Sequence, residues 1–369
     1  MRKNKKTILS TALIGLSLSL FAQNNKPQYL KDIAPFPIGT AISKATLNDP
    51  TGNSIILNEF NRLTPEFQMK IGTTNPKSKT NYFFKFADDI VDYANENHKQ
   101  VHGHALVYPM GFNSYPAWMK EMSARADSVE WENFMKERIQ TLVKRYKAKG
   151  VKTWDVVNEA FLDNGKLHKE PIKGVINKEN IWAKMLGDDY IARAFQYAHE
   201  ADPEALLFYN DFGHEFSNSK KVDAIIAMVA DFKKRGIPIH GIGLQMHTSI
   251  NRDKSNIENA LKNLSKTGLL IHISETTIEI NKDKSQTLEN GPSAERLQKQ
   301  KQKYKEIIEA MRFIPKDQRF GFTIWGVSDK RSYPVRPVAD WPTIWDDNYA
   351  KKPAYDGVVE GLQALKQMN

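Results

Sequence analysis

The hydrophobic positions of the chain form short β-prone runs that alternate with longer segments of helical periodicity. Eight runs are predicted to be strands: Ile38–Ala41, Arg62–Thr64, Val101–Val107, Thr153–Val157, Leu206–Asn210, Ile242–Gln245, Leu270–Ser274 and Gly321–Trp325. Helical patterns lie between them at Ser128–Ala148, Asp188–Ala201, Lys220–Arg235, Asn256–Lys266 and Ala294–Phe313. Strands that alternate with helices predict a parallel sheet, and eight strands are the number that closes a (β/α)8 TIM barrel.

The alternative fold is an open doubly wound sheet. That fold usually has a glycine-rich phosphate-binding turn after its first strand. The segment PIGTAISKA at 37–45 contains no such turn. No linker, low-complexity tract or internal repeat interrupts the pattern after residue 30. We therefore predict an α/β protein whose residues 23–369 form a single TIM-barrel domain.

The first 22 residues have the pattern of a secretory signal peptide. A basic start, with Arg2 and Lys3, precedes the apolar run Ile8–Phe21, and the small residue Ala22 offers a cleavage point. This apolar run is short and interrupted by serines, so it does not predict a membrane span. We expect residues 1–22 to be removed and the protein to be secreted or periplasmic.

Charge and composition narrow the classes of function. The net charge of +10 falls to +6 once the four basic residues of the leader are removed. The lysines of segment 220–236 are predicted to lie on the solvated face of a helix, and no concentrated basic patch predicts a nucleic-acid site. The chain has no cysteine, which excludes thiol chemistry and cysteine metal sites. We expect a monomer without a cofactor.

Polar and aromatic side chains stand at the predicted carboxyl ends of several strands. Active sites of TIM barrels are built at these ends, so residues on different strands are expected to meet there. Seven such residues stand at the ends of the third, fourth, sixth, seventh and eighth predicted strands. In chain order they are His104, Asn158, Glu159, Gln245, His247, Glu275 and Trp325. The set predicts one polar site at one rim of the barrel.

The two strand-end glutamates suit glycoside hydrolysis. That reaction needs one carboxylic acid to protonate the leaving oxygen and a second carboxylate to attack the anomeric carbon or activate water. We expect His247 and Gln245 to donate hydrogen bonds that keep Glu275 ionised. Asn158 is placed to bind a sugar hydroxyl, and Trp325 to offer a flat apolar face to a sugar ring.

Two other hydrolytic chemistries find less support in the sequence. His102 and His104 lie two residues apart on one strand face, which is a possible spacing for metal ligands, but no H-E-x-x-H pattern accompanies them. A serine hydrolase would need a G-x-S-x-G elbow, and the chain contains none.

Several segments together resemble glycoside hydrolase family 10, the retaining endo-β-1,4-xylanase family. The similar segments include TWDVVNEAF at 153–161, GIGLQMH at 241–247 and WGVSD at 325–329. The resemblance extends over nearly all of the mature chain and implies a (β/α)8 barrel. It also implies Glu159 as the acid/base and Glu275 as the nucleophile.

The resemblance extends to substrate-binding positions. It places five residues around the sugar under attack: Asn158, His104, Gln245, His247 and Trp325. Glu66 and Lys70 match positions that contact the next sugar on the non-reducing side. The chain departs from the family pattern at four places: Phe67 replaces an asparagine, Tyr108-Pro109 a Trp-His pair, Tyr333 a tryptophan, and Thr276-Thr277 a Leu and an Asp.

These features predict a secreted retaining hydrolase that cleaves β-1,4-linked xylan-type polysaccharides or oligosaccharides. Because Phe67 and Pro109 remove polar groups beside the reacting sugar, a decorated xylan or a different β-glycan is an alternative substrate. A carbohydrate-binding protein with weak catalysis is an alternative from another class, although such a protein has no need for two facing carboxylates. Glu279, four residues after Glu275, is expected to lie beyond the strand end and outside the chemistry.

Overall fold

The computed structural model describes residues 28–109, 115–170, 179–216, 219–331 and 339–368 of the 369-residue chain. The predicted signal peptide and Tyr333 lie outside the described residues. Within these ranges, no helix has the length and apolar character needed to cross a membrane.

Nine parallel strands form the sheet in the described part of the chain, and eight of them close a barrel. They are β1 Ile38–Ile42, β2 Arg62–Pro65, β3 Gln100–Val107, β4 Thr153–Asn158, β5 Leu206–Asp211, β6 Gly241–Leu244, β7 His247–Ser249, β8 Leu270–Glu279 and β9 Arg319–Ile324. Neighbours pair in the order β6-β5-β4-β3-β2-β1-β9-β8, and pairing of β6 with β8 completes the ring. All eight predicted strands are present, and the predicted TIM barrel is confirmed.

Strand β8 runs further than predicted. The sequence predicted Leu270–Ser274, but the strand continues to Glu279. Its outer residues pair with the short strand β7, with Glu279 opposite Ser249. The β-branched run at 276–278 favours an extended backbone, and β7 supplies its hydrogen-bonding partner. The expectation that Glu279 lies beyond the strand end was therefore wrong, because it is the last residue of β8.

Helices surround the barrel: α1 Leu30–Ile33, α2 Lys44–Leu47, α3 Pro50–Glu59, α4 Ile71–Thr74, α5 Lys85–Glu96, α6 Ala117–Arg125, α7 Ser128–Lys147, α8 Ile181–Leu186, α9 Tyr190–Ala201, α10 Lys220–Arg235, α11 Lys254–Ser265, α12 Ala294–Ala310 and α13 Pro353–Gln367. Side-chain caps fix where several begin. The Asp127 carboxylate accepts the N–H of Glu130 at the start of α7, and the Ser219 hydroxyl accepts the N–H of Val222 at the start of α10. All five predicted helices are present, with ends shifted by a few residues.

The prediction that the lysines of α10 lie on its solvated face is wrong for Lys221. Its side chain is fully buried, and its ammonium lies 3.1 Å from an Asp211 carboxylate oxygen at the end of β5. A lysine is rarely buried unless it is paired, and this pairing is the reason that the prediction was wrong here.

Packed side chains fill the amino-terminal end of the barrel. The Arg62 guanidinium lies 3.9 Å from the centroid of the Phe320 ring and donates to the Gln100 side chain at 2.9 and 3.2 Å. The rings of Phe208 and His272 pack on Phe320 at 4.5 and 5.1 Å. Burial lowers the pKa of Arg62 to about 9. This end is closed by packing, so an open site can form only at the opposite, carboxyl-terminal end.

Candidate active site

The barrel brings predicted site residues to the carboxyl ends of five strands. Glu66 follows β2, Glu159 follows β4, Gln245 follows β6, Glu275 lies in the outer half of β8, and Trp325 follows β9. The predicted convergence at one rim is what the closed sheet produces. His104 differs slightly, because it lies inside β3 and not at its end.

Three donors surround the Glu159 carboxylate. Gln245 Nε2 and Asn158 Nδ2 donate to its Oε1 at 2.9 and 3.1 Å, and the Tyr108 hydroxyl donates to its Oε2 at 2.9 Å. Burial nevertheless raises the pKa of Glu159, and the negative charge of Glu275 raises it further. A carboxyl group in this environment is suited to holding a proton near neutral pH.

The Glu275 carboxylate lies beside an amide donor and several basic side chains. Asn210 Nδ2 donates to its Oε1 at 2.6 Å, and His247 Nε2 lies 3.4 Å from its Oε2. The Nε2 atom of His104 is 3.9 Å from Oε1. Burial alone would raise the pKa of Glu275, but His104, His247 and the Lys70 ammonium together lower it. This carboxylate is therefore suited to staying ionised beside a protonated neighbour.

A chain of amides joins the two carboxylates. The side-chain oxygen Oδ1 of Asn158 accepts from Gln245 Nε2 at 3.1 Å and from Asn210 Nδ2 at 2.8 Å. Gln245 also donates to Glu159, and Asn210 also donates to Glu275. The two acids are thus held in one hydrogen-bonded unit, and their environments shift their pKa values in opposite directions.

Asn210 was not among the predicted site residues, although it donates to Glu275. Its amide is oriented by Ser274, whose hydroxyl donates to Asn210 Oδ1 at 2.6 Å and so directs the NH2 group toward Glu275. The available signal was its position, since Asn210 is a polar residue at the predicted carboxyl end of the fifth strand.

Gln245 does not serve the carboxylate that the sequence assigned to it. We predicted that its side chain donates to Glu275, but the side chain donates to Glu159. It is the backbone of Gln245 that contacts Glu275, because the Glu275 N–H donates to its carbonyl at 3.0 Å. In a parallel barrel the backbone of a strand binds its neighbour, while an inward side chain reaches across the interior.

The two histidines considered as metal ligands both face Asp155. His104 Nδ1 lies 2.8 Å from Asp155 Oδ2, and His102 Nε2 lies 3.0 Å from Oδ1. Burial would raise the pKa of Asp155, but the two imidazoles hold it well below its usual range. In the described ranges, no group of three or more His, Asp or Glu side chains has an arrangement that could hold a metal ion. This arrangement makes Asp155 the hydrogen-bonding partner that orients the His104 ring toward Glu275.

Lys70, Tyr108 and Trp325 form one side of the site. The Lys70 ammonium lies 5.0 Å from the centroid of the Tyr108 ring and 5.8 Å from that of Trp325. Trp325 is buried, and its ring packs edgewise on His104 and His247 at 5.3 and 6.4 Å. Trp325 therefore packs on the two imidazoles that face Glu275.

The departures from the family pattern occupy distinct places. Phe67 is 47% exposed, which is unusual for a large apolar side chain, and the adjacent Glu66 has its pKa raised to about 7 by burial. The Thr277 hydroxyl lies 2.8 Å from His247 Nδ1, on the opposite side of the imidazole from Glu275. A neutral hydroxyl therefore orients this histidine from the side away from Glu275.

The family of the chain follows from a match over its whole barrel. The family model for glycosyl hydrolase family 10 matches residues 28–361. The chain belongs to glycosyl hydrolase family 10.

Members of family 10 from several bacteria are similar to the chain. It is 34% identical to the endo-β-1,4-xylanase Xyn10C of Cellvibrio japonicus, over 95% of this chain and 60% of that protein. It is 36% identical to a β-1,4-xylanase of Dictyoglomus thermophilum, over 98% of this chain and 100% of that one. The chain therefore spans about three-fifths of the Cellvibrio relative and the full length of the Dictyoglomus one.

Solved structures of family 10 members superpose on this barrel. The native xylanase 10C of Cellvibrio japonicus matches with a TM-score of 0.82 at 32% identity, over 91% of this chain and 73% of that chain. A mutant of the same enzyme has been solved in complex with xylopentaose. The native xylanase 10B of Thermotoga maritima matches with a TM-score of 0.79 at 31% identity, over 92% of this chain and 99% of that chain.

Proposed function

We propose that the protein is a retaining glycoside hydrolase that cleaves β-1,4-linked xylan-type chains with Glu159 and Glu275. The observation that carries this proposal is a pair of carboxyl groups that are linked through side-chain amides and whose pKa values shift in opposite directions. A retaining glycosidase needs one protonated and one ionised carboxyl group beside the bond that is cleaved. The xylanase names of the family 10 relatives support xylan as the substrate class.

The reaction proceeds in two displacements. In the first, Glu275 attacks the anomeric carbon while Glu159 gives its proton to the departing sugar oxygen. We assign the attack to Oε2 of Glu275, because Oε1 is bound by Asn210 at 2.6 Å. In the second, Glu159 takes a proton from water, and the resulting hydroxyl displaces Glu275 from the sugar. Each displacement inverts the anomeric carbon, so the product keeps the β configuration.

Substrate preference depends on the side of the site formed by Phe67 and Tyr108, where the chain departs from the family pattern. The exposed Phe67 ring supplies apolar surface where an amide is expected in the family, and the Tyr108 hydroxyl is already engaged with Glu159. Fewer donors are then available to the hydroxyls of an unsubstituted xylose next to the reacting sugar. A decorated xylan, or a β-glycan with another linkage, fits this surface better than linear xylan does.

We also propose that the protein is exported and acts as a monomer. Residues 1–22 supply the signal peptide, and residues 23–369 supply the catalytic barrel. Expression of the full chain with a periplasmic or culture-medium assay tests export. Export is supported if the mature protein begins at residue 23, and is refuted if residues 1–22 remain and the protein stays inside the cell.

Matched glutamate variants test the proposed function. Glu159→Gln and Glu275→Gln should each lower hydrolysis of xylan by at least about 100-fold, because each removes a group that transfers a proton or forms a bond. Glu279→Gln is the control, since it makes the same change at the end of the same strand as Glu275. It should keep most of the activity.

Product analysis completes the test. Early products from a panel of linear xylan, decorated xylans and other β-glycans should be β-anomers by NMR. Early α-anomers would refute the role of Glu275 as a nucleophile. Tight binding of xylo-oligosaccharides with no hydrolysis of any glycan would refute the proposed hydrolase and indicate a carbohydrate-binding protein.

A further inference from the structure

The turn that carries Glu159 is held by three successive residues of β5. Glu159 itself has a backbone φ of +57°, a left-handed conformation that a non-glycine residue adopts only when its surroundings hold it there. Three successive N–H groups of the turn donate to β5: Glu159 to the Asn210 carbonyl at 2.8 Å, Ala160 to the Tyr209 hydroxyl at 3.0 Å, and Phe161 to the Asp211 carboxylate at 3.3 Å. We call these three bonds the β5 clasp.

Asp211 is the centre of the clasp. Its Oδ2 accepts from the Tyr209 hydroxyl at 2.5 Å as well as from Phe161, and its Oδ1 accepts from the Phe212 N–H at 2.8 Å. Asp211 is completely buried, and burial raises its pKa, so it stays a pure acceptor only while a nearby positive charge opposes that rise. Lys221 supplies that charge, with its ammonium 3.1 Å from Oδ1.

Lys221 joins the clasp to the loop beyond Glu159. Its ammonium also lies 3.2 Å from a carboxylate oxygen of Asp163, four residues after Glu159. The loop packs closely on the start of α10, because a Cβ added at Gly165 would lie 2.7 Å from the Lys220 carbonyl oxygen. One buried ammonium is therefore shared between β5 and the loop that Glu159 begins.

We propose that Lys221 is a positioning residue for the acid/base step, acting on Glu159 through Asp211 and Tyr209. This inference rests on the proposed function. While Asp211 is ionised, the Tyr209 hydroxyl points its proton at Asp211 and its lone pair at the Ala160 N–H. If the ammonium is removed, a buried Asp211 takes up a proton and becomes a donor to Tyr209. The hydroxyl proton then turns toward the Ala160 N–H, and the left-handed turn loses that support.

Removing the Lys221 ammonium should slow only the step in which Glu159 transfers a proton. A misplaced acid slows cleavage when the leaving group needs a proton, whereas a dinitrophenolate leaves without one. The ratio of kcat/KM for xylopentaose to kcat/KM for 2,4-dinitrophenyl β-xylobioside reports this selectivity. Both values cover the steps up to cleavage of the first bond, so the second displacement does not enter the ratio.

Lys221→Met should lower this ratio by about 10- to 100-fold, since a general acid contributes about 100-fold or more. Lys221→Arg keeps a cation in place and should hold the ratio within about threefold of the wild type. Lys352→Met is the matched control, because Lys352 is also buried and forms a 2.8 Å ion pair with Asp329. It should lower both values of kcat/KM equally and leave the ratio unchanged.

Equal losses on the two substrates for Lys221→Met, or no rescue by arginine, would overturn the inference. If Lys221→Met does not fold, Tyr209→Phe replaces it, since this variant removes one hydroxyl from the clasp and leaves the ion pair intact. The ratio should again fall for Tyr209→Phe, and an unchanged ratio would also overturn the inference. Failure of the proposed function is separate, because the wild type would then hydrolyse neither substrate.

Discussion

Removing the Tyr108 hydroxyl should move the alkaline limb of the pH–activity profile. Tyr108 is the partner of Glu159 Oε2, while Gln245 and Asn158 both donate to Oε1. Tyr108→Phe keeps the ring beside Lys70 and deletes this one donor. A donor to a carboxylate favours the ionised form, so its loss raises the pKa of Glu159.

The size of the shift follows from the energy of that hydrogen bond. A hydrogen bond to a charged group contributes about 1.5–3 kcal/mol, and one to a neutral group about 1 kcal/mol. The protonated carboxyl group of Glu159 keeps the smaller interaction, so the difference between its two forms is about 0.5–2 kcal/mol. One pKa unit corresponds to about 1.4 kcal/mol, and the pKa of Glu159 should therefore rise by roughly one unit.

The first displacement requires protonated Glu159, so kcat/KM falls as the pH rises through its pKa. A raised pKa moves that fall to higher pH by the same amount. The assay is kcat/KM for xylopentaose between pH 4 and pH 10, in steps of about half a unit that resolve the expected shift. The maximum value of kcat/KM also falls if the Tyr108 hydroxyl contacts substrate. The pH at which the alkaline limb falls is read independently of that maximum.

Tyr197→Phe is the matched control for this prediction. Tyr197 lies on α9 and donates its hydroxyl to the Glu132 carboxylate at 2.6 Å, which is the same chemistry away from the rim. This variant should leave the limb in place. An alkaline limb that stays put or moves to lower pH in Tyr108→Phe would refute the reasoning, as would an equal shift in Tyr197→Phe.

Three further predictions concern other contacts. Asn210→Ala removes the 2.6 Å donor to the attacking carboxylate, and should lower kcat/KM by about 10- to 100-fold while moving the acid limb to higher pH; an unchanged acid limb would contradict this. Phe67→Asn combined with Pro109→His should raise kcat/KM on linear xylo-oligosaccharides by about tenfold or more, and no gain would count against the proposed specificity. Lys352→Met leaves Asp329 buried without its 2.8 Å partner, and should lower the free energy of unfolding in urea by about 3–5 kcal/mol; a loss below 1 kcal/mol would show that the pair is dispensable.

The barrel and the place of Glu159 could be predicted because both depend on local pattern. The hydrophobic run of β4 stops at Asn158-Glu159, and a polar pair at a strand end marks the active rim of a barrel. The partner of Gln245 could not be predicted in the same way. Which carboxylate an inward side chain reaches depends on the stagger between non-adjacent strands, and that stagger is a property of the closed sheet.

Lys221 shows a second limit of sequence patterns. The apolar and charged residues around it on α10 follow the pattern of a helix with one solvated face. No feature of the nearby sequence distinguishes it from the exposed lysines of the same helix. Its burial is decided by Asp211, which lies ten residues earlier at the end of a different element. Asn210 was missed for a related reason, because a strand-end asparagine has the same sequence pattern whether it contacts a catalytic acid or caps a turn.

The β5 clasp also bears on how such a barrel can be divided. Glu159 directly follows β4, the last strand in the first half of the barrel. The residues that fix its backbone lie in β5, the first strand of the second half. A chimera made by joining the first half of this protein to the second half of a relative would carry the acid from one parent and its support from the other. A crossover placed after α10 keeps Glu159, the clasp and Lys221 from one parent. Recombination libraries of this barrel should therefore yield active progeny more often from junctions after α10 than from junctions between β4 and β5.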